Sequence, residues 1–196
     1  MSDDDSVFLF HITMEKNLPG IIEEQALIPG GNENGIATLL EEEESNSYRW
    51  VDWAKDKIFV SANWNGMVPW IEKLNAKKEW PVILRISIPI GELPDFELFY
   101  DLGDNDPPIS WYFVESIPIG LINIAVHDDP DSALSTSKKP WSFKPLGEYN
   151  LEEIPDQRSL PDLLELPITN EFEMSEAAEE ARNAFFDGAK RGHDDE

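Results

Sequence analysis

The groups able to do chemistry in this chain are few. It has no cysteine and three histidines, His11, His127 and His193, among 196 residues. Thiolate nucleophiles, disulfides, zinc ribbons and iron–sulfur clusters are thereby excluded, and a multi-histidine metal site is disfavoured. What remains is imidazole, hydroxyl, carboxylate and guanidinium chemistry. His11 interrupts an otherwise apolar run, Val7 to Thr13. A single histidine in such a strand ordinarily needs only one hydrogen-bond partner. Glu115 is the one carboxylate between Ile109 and Ile119. Arg85, in an alternating segment, and Arg49, between Tyr48 and Trp50, could each grip a pyrophosphate bidentately, although Arg85 also reads as a surface or ion-pair residue. His127, before two aspartates, reads as a turn residue, and Glu41 to Glu44 as a solvated helix face.

These residues need strands and helices to bring them together. Val7–Thr13, Lys57–Ser61, Trp80–Pro89, Ile109–Ser116 and Leu121–His127 have the apolar, β-rich or alternating character of strands. Asn17 stands where it can cap a helix containing Leu18, Ile21 and Ile22, which Pro29-Gly30-Gly31 ends. A second helix is expected within 63–78, and the Gly-, Pro-, Asp- and Asn-rich stretch 91–108 reads as a loop. Residues 128–170 read as an irregular, proline-rich strap. Residues 171–196 read as an acidic helix and tail, with Ala177, Ala181, Ala184 and Phe185 on one face. The motif-bearing domain is therefore expected over 7–127.

Charge limits the partners. Asp plus Glu number 40 against 15 Lys plus Arg, a net charge of -25, which excludes an ordinary basic nucleic-acid binder. Yet 41% hydrophobic residues, with 7 Trp and 10 Phe, are far too many for a disordered acidic chain. No apolar run reaches the roughly 20 residues of a membrane-spanning helix, and the start, Met1-Ser-Asp-Asp-Asp, lacks a secretory signal pattern. A cytoplasmic protein with no membrane partner is expected.

The blocks follow one another in a telling order. Phe10-His11-Ile12-Thr13 precedes Asn17-Leu18-Pro19-Gly20-Ile21-Ile22 and Leu27-Ile28-Pro29; then come Lys57-Ile58-Phe59-Val60-Ser61, Val82-Ile83-Leu84-Arg85-Ile86, and Val114-Glu115-Ser116-Ile117-Pro118 with Leu121-Ile122. This arrangement resembles the ADP-ribosyltransferase superfamily, in particular small bacterial and phage members of the DarT and RNA 2'-phosphotransferase-like sort.

The resemblance implies an α+β fold with two small, mainly antiparallel sheets around a cleft for nicotinamide adenine dinucleotide (NAD), and flanking helices. It implies transfer of ADP-ribose from NAD to a macromolecule, as a toxin or effector in phage–host conflict. His11 and Thr13 would hold ribose hydroxyls or the nicotinamide side, with Ser61 in the same pocket. Phe59, Trp64 or Trp70 would stack on nicotinamide. Glu115, with His11, is expected to be catalytic, its carboxylate stabilising the oxocarbenium-like transition state as glycosidase carboxylates do.

The family glutamate falls on Ser110 or Trp111 in this chain, whereas Glu115 stands only two residues before Ile117. Three options follow: Glu115 acts from a shifted register, Glu97 or Asp101 reaches in from the preceding segment, or the site has no such carboxylate. The scarcity of basic residues disfavours an RNA 2'-phosphotransferase and favours a protein acceptor over a nucleic acid. Lys73, Lys77 and Lys78, or Lys138 and Lys139, could still form a local basic patch. The competing expectation is a non-enzymatic acidic protein that mimics nucleic acid or inhibits a basic partner, with the charge alone as its function.

Overall fold

A computed structural model of the chain describes residues 5–30, 56–63, 66, 70–71, 74, 81–101, 110–127, 141–148 and 174–192. In chain order its elements are β1 (Ser6–Met14), α1 (Leu18–Glu23), β2 (Ala26–Leu27), β3 (Ile58–Val60), β4 (Pro81–Pro89), β5 (Phe99–Asp101), β6 (Ser110–Phe113), β7 (Ile117–Pro118), β8 (Ile122–His127), β9 (Trp141–Pro145), α2 (Glu176–Asp187) and β10 (Lys190–Arg191). The fold is α+β, with small and mostly antiparallel sheets. Sheet 1 has the order β1-β4-β8-β9, sheet 2 the order β10-β5-β6-β3, and β2 pairs with β7. Among the described residues only the β10–β5 pair is parallel.

Alternation along β4 dictates the layering. Val82, Leu84, Ile86 and Ile88 enter one core with Val7 and Leu9 of β1, Ile58 and Val60 of β3, and Phe113 of β6. Ile83 enters a second core on the opposite face, with Phe8, Phe10, Ile12 and Met14 of β1 and Ala125 of β8. Sheet 1 is therefore covered on both faces, which is why β1 and β4 are buried almost throughout.

Among the described residues the two sheets meet edge to edge at one point. The Phe10 N–H donates to the Ser61 carbonyl at 2.9 Å and the Ser61 N–H to the Phe10 carbonyl at 2.8 Å, a single antiparallel bridge just past the end of β3. A second capping contact on the β1 edge runs from the Phe8 N–H to the Met174 sulfur. These contacts occupy edge groups of β1 that would otherwise invite strand addition.

Three expectations change. The stretch expected to be an irregular strap contains β9, which extends sheet 1 through Ala125↔Phe143 and Val126↔Ser142. His127 is not a turn residue but the last of β8, opposite Trp141. The stretch expected to be a loop before β6 contains a 3-10 segment, Ile90–Asp95, and then β5.

The acidic helix expected near the C-terminus is present as α2 and packs against the domain. Ser175 caps α2 by accepting from the Ala178 N–H, and the buried face carries Ala178, not Ala177 or Ala184, which are exposed. Ala181, Phe185 and Phe186 pack against the inter-sheet core while Glu176, Glu179, Glu180 and Asp187 remain outside. Beyond α2 the chain runs beside β5. The Gly192 N–H reaches the Tyr100 carbonyl, and a Cβ at Gly192 would lie 1.9 Å from the Tyr112 hydroxyl, so only glycine fits that approach.

Candidate functional site

The seam between β1 and β3 is where the sequence-selected residues converge. His11 follows the bridging Phe10 on β1, and its Nδ1–H donates to the Phe59 carbonyl at 2.8 Å. That carbonyl is available because β3 is the edge strand of sheet 2, its other edge being paired with β6. Donation from Nδ1 selects the neutral tautomer with an open lone pair on Nε2.

Burial pushes the His11 imidazole below its ordinary pKa of 6.5, and the hydrogen bond to Phe59 offsets part of that shift. The unfolded chain therefore takes up the proton first on acidification. Stability is fully present above the unfolded value and is lost as pH falls through about 6.5 toward the lower folded value. Urea midpoints at about pH 7.5 and about pH 5.5 should differ more in the wild type than in His11→Asn, whose amide can replace the Nδ1 donor but does not titrate.

Two residues along β1, Thr13 is buried, and its hydroxyl accepts from the Asn17 side-chain amide at 3.2 Å. Asn17 precedes α1 yet makes no side-chain cap bond, contrary to the capping role its type suggests. The reason is its backbone, already helical at φ -89° and ψ -16°, whereas a capping residue is normally extended. Its Oδ1 is buried with no hydrogen-bond partner among the described residues. A buried orphan acceptor costs free energy unless an N–H reaches it. Nothing in the sequence marked Asn17 as more than a cap.

On the other side of the seam Ser61 is tied into a turn. Its Oγ donates to the Asn63 carbonyl at 2.8 Å, and a Cβ on Gly66 would come within 2.0 Å of that oxygen. Arg182 of α2 braces the same turn by donating from Nη1 to the Ala62 carbonyl at 3.2 Å. Arg182 went unnoticed in the sequence because it lies 120 residues from its acceptor in a segment read as an appendage.

Phe59, Tyr112 and Phe99 form an aromatic row across β3, β6 and β5. Phe59 meets Tyr112 edge-on at 5.9 Å and Phe99 stacks on Tyr112 at 5.8 Å. The Lys57 ammonium lies 5.2 Å from the Tyr112 ring centre.

The other sequence-selected residues lie elsewhere. Arg85 pairs with Phe10 in register, whereas His11 pairs with Leu84, so Arg85 and His11 occupy opposite faces of sheet 1. Trp70 packs with the core on the Arg85 side. Arg85 is also not a surface residue, being 4% exposed. Glu115 is exposed in the bend after β6, at the end where Phe113 pairs with Ile58 rather than the end nearest Ser61. Arg49, Trp64, Lys73, Lys77, Lys78, Lys138 and Lys139 fall outside the described residues.

No family model, curated protein or solved structure matches the chain. The site must therefore be read from its own geometry. Among the described residues no three His, Asp or Glu side chains are grouped to hold a metal ion. No helix among them is long and apolar enough to cross a membrane. On the His11 face the seam offers a neutral imidazole, the Thr13 hydroxyl and a buried amide oxygen; Ser61, bridged to Phe10, and the aromatic row that begins at Phe59 lie on the opposite face. The His11 face suits hydrogen bonding to sugar hydroxyls and a carboxamide.

Proposed function

We propose that this protein transfers ADP-ribose from NAD to a macromolecular acceptor, a protein in preference to a nucleic acid. One observation carries the reading: the β1–β3 seam unites His11 with Phe59 and Ser61, the two separated blocks that resemble ADP-ribosyltransferases, through the 2.8 Å bond from His11 to the Phe59 carbonyl. In this reading the open Nε2 of His11 accepts from a ribose hydroxyl. The orphan Oδ1 of Asn17, tied to Thr13 on the same face as His11, accepts an N–H of the nicotinamide carboxamide. The Ser61 turn, braced by Arg182, fixes the wall facing β1. The net charge of -25 favours a basic protein acceptor over a phosphate backbone.

Calorimetric titration of the full chain with NAD tests this. The wild type is expected to bind, and His11→Ala to bind about tenfold more weakly, the scale of one hydrogen bond of about 1.4 kcal/mol. A wild-type chain that does not bind NAD sinks the enzyme reading. It leaves the alternative, an acidic protein that acts by docking on a basic partner and needs none of the seam residues.

A further inference from the structure

The first turn of α2 is held on β1 by a thioether. An apolar residue just before a helix cap commonly packs on the helix's own fourth position. In α2 the cap is Ser175 and that fourth position is the exposed Glu179, so the preceding residue, Met174, turns to β1 instead. Its sulfur accepts the Phe8 N–H at 3.2 Å, and its side chain packs against the second core. The two partners lie 166 residues apart in the chain, which makes this contact a tie between distant elements rather than a local turn.

A thioether is an apolar group that a mild oxidant turns into a polar one. Its sulfur has two lone pairs, and the Phe8 N–H occupies one, which leaves the other to attack an electrophilic oxygen. Access decides which methionine reacts. Met174 is half-buried, whereas Met14, in the second core itself, is 0% exposed.

We propose that Met174 is a reversible oxidation site through which a hydroperoxide loosens the hold of α2 on β1. The free lone pair of the sulfur attacks one peroxide oxygen, the O–O bond breaks and a sulfur–oxygen bond forms. Hydrogen peroxide leaves as water, reduced by the two electrons that the sulfur gives up. A sulfoxide oxygen that takes over the Phe8 N–H must lie roughly 2.9 Å from that nitrogen, close to where the sulfur now sits, so the sulfur and the start of α2 must draw back. An oxygen turned the other way enters the apolar surroundings of Phe8, Phe10 and Ile12, at the cost of burying a polar group among them. In both arrangements the first turn of α2 loses its seat on β1. The rest of the helix keeps its own, because Ala181, Phe185 and Phe186 pack against the other core.

Peroxide treatment of the full chain, followed by peptide mass mapping and residue-resolved amide exchange, tests this. One added oxygen is expected at Met174 at a peroxide level that leaves Met14 unmodified. Exchange should quicken at least about tenfold at the Phe8, Ala178 and Glu179 amides and change less than about twofold from Arg182 to Asp187, and the thermal transition should fall by about 4 °C. Methionine sulfoxide reductases of both epimer specificities, supplied with a thiol reductant, should restore the original exchange. Met174→Leu keeps an apolar side chain that peroxide does not oxidise, so its exchange should be the same before and after treatment. A peroxide response that persists in Met174→Leu places the switch elsewhere and overturns the proposal. Oxidation of Met174 no faster than Met14 also overturns it, as does an oxidised Met174 with unchanged exchange at Phe8; these two readings need only the wild type and hold even where Met174→Leu does not fold.

Discussion

Phe113→Ala is expected to lower the free energy of unfolding by about 3–5 kcal/mol, a large part of the roughly 5–15 kcal/mol that a domain has. Phe113 is fully buried and, among the described residues, is the largest fully buried side chain. Its ring meets Phe96 at 6.1 Å and Phe185 at 6.3 Å, and its backbone is paired with Ile58 of β3. One side chain thus joins sheet 2, the segment before β5 and α2. Their separate attachments prevent them from collapsing together into the space left behind, so the cavity contribution should be near the upper end of its range. The neighbouring Val114 is 44% exposed, and Val114→Ala should change stability by no more than about 0.5 kcal/mol. Urea unfolding of both variants, with unchanged slope, provides the check. A loss below about 2 kcal/mol in Phe113→Ala would mean that α2 and sheet 2 repack freely.

Because α2 depends on this ring, the C-terminal acidic segment cannot be separated from the domain by composition. About two-fifths of the net charge lies after residue 150, which suggests an appendage. Yet Phe186 contacts Trp111 edge-on at 4.7 Å and Lys190 continues sheet 2. Charge density reports the outward face of a helix and says nothing of what its inward face covers.

Local patterns were legible where the burial was strong. The alternation of β4 announced a strand between two apolar layers, and β1 followed from its apolar run. β5 was not legible, because three residues such as Phe99-Tyr100-Asp101 hold a strand only through their partner β6. β9 was hidden for a similar reason: Trp141-Ser142-Phe143-Lys144-Pro145 is short and bounded by proline, and its place is set by β8. On α2, alanines at 177, 178, 181 and 184 are equivalent to any hydropathy count: Ala181 and Phe185 do pack on the core, but Ala178 is buried where Ala177 and Ala184 were expected.

The order of the blocks brings β1 beside β3, where His11 bonds the Phe59 carbonyl. Which face each side chain takes is decided by cross-strand register, and register between short strands is not written in the residues themselves: Ser61 is opposite Phe10 rather than His11.

Arg85 is the residue for which sequence and structure suggest the most different experiments. Its guanidinium lies 4.2 Å from the Phe8 ring centre and 4.7 Å from that of Phe143, sandwiched in the second core. A desolvated cation over an aromatic face contributes about 2 kcal/mol, and truncating a buried side chain of this length to alanine costs about 2–5 kcal/mol through the cavity. Arg85→Ala should therefore destabilise by about 3–5 kcal/mol. Arg85→Met keeps most of the volume and loses the charge, so its cost should be smaller. If the sandwich is the source, Arg85→Met and Phe143→Leu should be coupled by about 1–2 kcal/mol in a double-mutant cycle. A pyrophosphate-binding arginine behaves otherwise: its loss weakens NAD binding at least tenfold in a protein that remains stable. With His11 on the opposite face of sheet 1, the expectation for folded Arg85→Met is an NAD affinity within about twofold of the wild type. A tenfold loss of affinity in that variant, with its thermal transition intact, would move the pyrophosphate to the Arg85 face and take the NAD site away from the seam.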